Sequence, residues 1–209
     1  MEKRLLAELF QPRKKSIVVI AGANGSGKST LVEGLELKYE FAHIDPDKIA
    51  KAVGGRGAAA LAGRRSIVRR NTLFKNDATF GIETTLSGKT LANFFRESKA
   101  ANYRIIIVYT WLDNPQLCIE RIGVRVAGGG HHVPNEDVIR RFYRSNFNFW
   151  NVYRLIADEW FLFYNGHKEA KLVALGTTDA YDVHNNQLFE RYRGLIDDCE
   201  KQLDRKRNN

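Results

Sequence analysis

The chain has 209 residues, of which 44% are hydrophobic and 27% charged, so it is long enough to bury one substantial core and too ordinary in composition for disorder. Thirty-three Lys and Arg against 24 Asp and Glu give a formal charge of +9, which favours an anionic partner, either a nucleotide or a nucleic acid. No apolar stretch is long enough for a membrane span. The leading MEKRLLAELFQPRKK is mixed in charge with too short an apolar part for a signal peptide, and Cys118 and Cys199 form neither a disulfide framework nor a metal pattern. A cytoplasmic protein is expected.

Helical spacing predicts a short helix over residues 3–10, ahead of a first strand, Ser16–Ala21. GANGSGKST follows, and Gly22, Gly27, Lys28 and Ser29 fit the pattern G-x-x-x-x-G-K-[ST] without mismatch. Such a loop between a strand and a helix curls backbone N–H groups around phosphates, with Lys28 reaching the β/γ-phosphates and Ser29 offering its hydroxyl to Mg²⁺. The nucleotide-binding set is Gly22, Ala23, Asn24, Gly25, Ser26, Gly27, Lys28, Ser29 and Thr30. A helix from Lys28 to about Lys38 is expected next, then a short strand, Phe41–Ile44, ending at Asp45-Pro46-Asp47. One of these acids is expected to cap a helix or organise water on Mg²⁺, and the other to accept a proton from an attacking hydroxyl.

Residues 58–76 carry apolar residues at helical intervals with arginines between them. Ala78–Ile82 reads as a third strand, closed by Glu83-Thr84-Thr85, where Glu83 either starts a helix or hydrogen-bonds an acceptor. Lys89–Ala101 reads as a helix. Tyr103–Leu112 is the strongest strand signal, apolar without alternation at its centre, as for a strand covered on both faces. Asn114-Pro115 opens a helix to about Val126, and Asn135–Ala157 is expected as one long helix. Trp160–Tyr164, Lys171–Leu175 and a closing helix Leu188–Leu203 complete the set. The alternation predicts an α/β fold of the P-loop NTPase type, a mostly parallel sheet with helices on both faces, in a single domain.

Arg121 and Arg125 share a helical face with Leu117 one turn earlier, so no acid lies on that side. Two such cations repel by about a few tenths of a kcal/mol, which points to a phosphate ligand. Arg140 and Arg141 follow Glu136 and Asp137 by one turn, while Arg144 is a freer candidate for an anion. GGGHHVP between the two groups has the make-up of a lid hinge. Thr85-Leu86-Ser87-Gly88 looks like the transport-ATPase signature, but the chain is too small for that domain. No N/T-K-x-D element supports guanine selectivity, and His131-His132 lacks a third ligand for a metal.

Together GANGSGKST, HIDPDKIA, GIETTLSG, RIGVRVAGGGHHVPNEDVIRRFYRSNFN and ADEWFLFYN resemble the zeta-toxin family of P-loop kinases over roughly residues 17–166. The resemblance implies ATP- and Mg²⁺-dependent phosphorylation of a hydroxyl on a small molecule, such as UDP-N-acetylglucosamine, and an antitoxin protein as partner. By position it implies Asp47 as the base, Glu83 with Thr85 against the acceptor, and Arg125 with Arg140 or Arg141 on the transferring phosphate. Arg121 is assigned to the nucleotide, and Asp45, His131 and Arg144 to the acceptor. The chain departs from the family where Lys48-Ile49-Ala50 follows the D-x-D motif and where Tyr164 precedes the late Asn. The alternative from another class is a nucleotide-switched ATPase that holds nucleic acid on its basic surface.

Overall fold

The computed structural model describes residues 15–34, 41–55, 57–130, 132–166 and 169–205. The helix expected over residues 3–10 lies outside them. Among the described residues one seven-stranded sheet runs in the order β2-β3-β1-β4-β5-β6-β7. Its strands are β1 Ser16–Ala21, β2 Ala42–Ile44, β3 Phe80–Thr84, β4 Arg104–Trp111, β5 Glu159–Tyr164, β6 Lys171–Gly176 and β7 Tyr181–Val183. The helices are α1 Lys28–Gly34, α2 Pro46–Val53, α3 Ala58–Lys75, α4 Thr90–Ala100, α5 Pro115–Ala127, α6 Asn135–Asn148 and α7 Asn186–Arg205. This is the P-loop NTPase architecture, with five parallel strands and an antiparallel edge formed by β6 and β7.

Period-two geometry divides the apolar strands between two cores. Ile17, Val19 and Ala21 of β1 join Ile105, Ile107 and Tyr109 of β4 on one face, under Phe95 of α4 and Tyr192 of α7. Val18 and Ile20 face the other way with Ile106 and Val108, against Leu31 of α1. A third cluster joins Ala23 of the P-loop to Cys118 and Ile122 of α5 and to Val138 and Phe142 of α6. That cluster holds two helices over the phosphate loop.

Three local expectations shift. β3 begins at Phe80 rather than Ala78, because the backbone N–H groups of Asp77 and Ala78 bond back to Phe74 and Leu73 and close α3, with Asp77 at φ 54. Glu83 therefore lies within the strand, in register with Ile20 of β1. The long helix expected from Asn135 stops at Asn148 and passes into a π-helical turn, Phe149–Tyr153. The wider turn, with Arg154 N–H donating to Phe149 O at 3.0 Å, turns Phe149, Trp150 and Tyr153 together into the core. The edge strand β7 was not legible as a strand, being three residues long and mostly exposed.

Candidate functional site

The phosphate loop leaves β1 at Gly22, whose φ of 145° suits only glycine, and a Cβ there would lie 2.4 Å from the carbonyl of Thr110. Gly27 has φ 88°, and its Cβ would fall 1.9 Å from Asn165 Nδ2. That amide donates to the carbonyls of Ser26 (3.0 Å) and Gly27 (3.2 Å), so the end of β5 braces the loop. Ser26 is buried and turned to the Thr110 hydroxyl at 2.7 Å rather than to the cleft. Ala23 is likewise buried, and its carbonyl with that of Gly22 accepts from Lys28 Nζ at 3.3 and 3.1 Å. Asn24, Gly25, Gly27, Lys28, Ser29 and Thr30 line a cleft of about 800 Å³.

Across that cleft stand Asp45, Asp47 and Glu83. The two acids of the D-x-D motif separate by role in the backbone. Asp45 is the N-cap of α2, its Oδ1 accepting from the N–H groups of Asp47 (2.9 Å) and Lys48 (3.1 Å). Asp47 sits in the first turn with half its side chain exposed to the cleft, and its Oδ2 lies 3.9 Å from Arg125. Glu83 is mostly buried at the C-terminal end of β3, 4.0 Å from Lys28 Nζ. Burial pushes its carboxyl above the ordinary range, Lys28 pulls it back, and the negative charges of Asp45 and Asp47 add to the upward shift.

The arginines divide among three surroundings. Arg121 and Arg125 line the cleft from α5, as their spacing predicts. Both have protein partners that the helix alone did not reveal: Arg121 donates to the carbonyl of Asn165 at 2.7 Å, and Arg125 faces Asp47. Arg141 reaches the P-loop, donating to Asn24 Oδ1 at 3.2 Å. Arg140 points instead, with Arg144, into a separate cleft beside Ser87 and Lys89. The geometry thus puts Arg141, and not Arg140, against the loop. Thr85 bonds through its hydroxyl to Ser87 at 2.9 Å, and its carbonyl accepts from Ser145 of α6. His131 lies outside the described residues, while Gly129 and Gly130 before it line the main cleft. Thr110 and Lys51 were not raised by sequence reasoning, and Lys48 and Asn165 entered it only where the chain was set beside the zeta-toxin pattern, without a role; for Asn165 its place just after a buried strand at the sheet's C-terminal edge was the available signal.

No protein-family model matches the chain. An uncharacterized protein of Haemophilus influenzae is 30% identical over 129 residues, covering 60% of this chain and 91% of that protein. The chain belongs to that protein's family. A protein of Acanthamoeba polyphaga mimivirus, named "Putative bifunctional polynucleotide phosphatase/kinase", is 30% identical over 148 residues, which are 69% of this chain and 32% of that protein. The chain therefore spans about a third of the mimivirus relative. Among solved structures, the AvrRxo1-ORF1:ORF2 complex with ATP superposes with a TM-score of 0.68 at 14% identity, over 90% of this chain and 66% of that one. The PezAT chromosomal toxin–antitoxin system of Streptococcus pneumoniae gives 0.55 at 14%, over 97% and 93%. The chain shares the P-loop fold of these structures, as the motifs led one to expect.

Proposed function

We propose that the protein is an ATP- and Mg²⁺-dependent phosphotransferase acting on a hydroxyl of a nucleotide sugar of the UDP-N-acetylglucosamine kind. One observation carries the reading: the P-loop residues Lys28 and Ser29 share a single cleft with Asp47 and Glu83. A pure nucleotide switch has no need of two carboxylates facing its phosphate loop.

The residues present fit the nucleotide and its metal. The backbone cradle at Gly22 and Gly27 has no room for a Cβ. Among the described residues no three His, Cys, Asp or Glu side chains converge as a cation cage, so a divalent ion here would rely on phosphate oxygens and the Ser29 hydroxyl, as Mg²⁺ commonly does. Mg²⁺, when bound, supplies charge neutralisation at the phosphates. Glu83 orients the acceptor, and Asp47 takes the hydroxyl proton as the acceptor oxygen bonds to the γ-phosphorus and the bridging P–O bond to ADP breaks. Lys28, Arg121, Arg125 and Arg141 offset the charge on the transferring group. Arg125, 3.9 Å from Asp47, supports this reading by bringing a cation to the side of the cleft across from the loop.

Asp47→Asn tests the assignment. Asp45 holds the cap of α2, so the variant keeps fold and cap, and ATP affinity by calorimetry and melting temperature should match the parent. Product formation should fall by orders of magnitude. Retained product formation would move the proton acceptor to Glu83 or Asp45.

A second reading, favoured by the mimivirus relative, makes the acceptor the terminal hydroxyl of a polynucleotide, which suits a chain of charge +9. Labelled ATP offered with a nucleotide-sugar pool or with an oligonucleotide separates the two by which product carries label. A protein whose duplex binding weakens steeply with salt and which labels neither would instead be the nucleotide-switched binder. The likeness to PezAT extends the proposal to a partner of the antitoxin kind.

A further inference from the structure

A second cleft, of about 330 Å³, opens where the chain leaves β3, lined by Ser87, Gly88 and Lys89, by α6, and by Gln202 and Leu203 of α7. Its volume is at the lower end of small-ligand sites, about 300–1,000 Å³. The α6 wall is a single helical stripe: Arg140, Tyr143, Arg144 and Phe147 follow at spacings that put all four on one face. Cation and aromatic alternate along it. Tyr143 and Phe147 are half-buried, with Arg140, Arg144 and Lys89 exposed around them.

Positive charge here exceeds its protein partners. Among the described residues no carboxylate pairs with Lys89 or Arg144, and Asp137 is shared between Arg140 and Arg141. The opposite wall is built rather than loose. The carbonyls of Thr85, Leu86 and Gly88 accept from Ser145, Asn148 (3.0 Å) and Tyr153 (2.6 Å), which pins the loop to α6 and the π turn. Phosphate oxygens answer the cations, and a planar base answers the rings, which is the pairing proteins use to hold unpaired nucleotides of a single strand.

We propose that this cleft binds a nucleoside phosphate, the phosphate against Lys89, Arg140 and Arg144 and the base against Tyr143 and Phe147. It deepens the kinase reading and rests on that reading only for its purpose, the recognition of a nucleotide apart from the phosphate loop. Two sources carry this chemistry: a free nucleotide sugar and the end of a strand.

The test is calorimetry on the full chain with the P-loop saturated by a non-hydrolysable ATP analogue, titrated with UDP in one arm and a short oligothymidylate in the other. Saturable binding is expected in at least one arm, and the tighter arm identifies the source. Arg144→Ala and Phe147→Ala should each weaken it about ten-fold without changing affinity for the ATP analogue. Lys89→Ala, at an exposed side chain, keeps the test valid where Phe147→Ala fails to fold. No saturable binding in either arm, or binding that Lys89→Ala and Arg144→Ala leave unchanged, overturns the site. Intact binding in a protein that transfers no phosphate would uphold the site and overturn only the kinase reading.

Discussion

Burial opposes ionisation of Glu83 more strongly than the Lys28 ammonium, 4.0 Å away, favours it. Its pKa is therefore higher folded than unfolded, so the folded state holds the proton more tightly. The stability linked to that proton is complete below the unfolded value, about pH 4, and is lost as pH rises through the folded value. Glu83→Gln should raise the melting temperature at neutral pH, and the gain should vanish near pH 4. Melting curves across that range check it; a gain independent of pH would mean that Glu83 titrates normally. At this scale the sequence raised candidate side chains and, apart from Asp137 beside Arg140 and Arg141, was silent about their partners. The D-x-D spacing raised two acids with two jobs, but only the hydrogen bonds from Asp47 and Lys48 to Asp45 Oδ1 say which one caps. The same holds for Arg140 and Arg141, adjacent in sequence and therefore about 100° apart around the helix, so that one meets Asn24 and the other turns to a different cleft.

Helix α2 ties its cap to the site, because the turn that Asp45 closes is the turn that presents Asp47. Asp45→Ala should destabilise the protein by about 1 kcal/mol, while Asp45→Asn, an equally good cap, should stay near the parent. Urea midpoints measure both. If the alanine and asparagine variants melt together, the cap does not hold α2. Most elements were legible because their signals are local: an apolar run closed by glycine for β1, Pro115 after the Asn114 cap for α5. The π turn was not. Phe149, Trp150 and Tyr153 read as a continuing helix, and the break goes with rings distant in the chain: Phe149 stacks on Tyr109 at 4.1 Å and meets Trp160 edge-on at 6.1 Å. Propensity does not encode that demand.

Over the whole molecule, the sheet brings together side chains from the C-terminal ends of β1, β2, β3 and β5, and the aromatic core behind them holds the frame. Trp160 is fully buried, packs on Phe149 and Trp150, and donates from Nε1 to the carbonyl of Thr177 at 2.9 Å. Trp160→Ala should cost about 3–5 kcal/mol, read as a lowered urea midpoint; a loss under about 1 kcal/mol would mean that the core closes over the gap. Among the described residues no helix is long and apolar enough to cross a membrane. By itself the sequence determined the α/β class, the P-loop and its strand–loop–helix setting, and the kinase-like order of the motifs, because each is written in contiguous residues whose chemistry is local. Only the tertiary structure decided that Asn165 braces the loop, that Asp45 caps while Asp47 faces Arg125, and that the α6 stripe walls a cleft of its own. Apart from the cap itself, which is local, those are contacts between residues far apart in the chain, set by strand order and helix rotation, and neither quantity is written in any single stretch of residues.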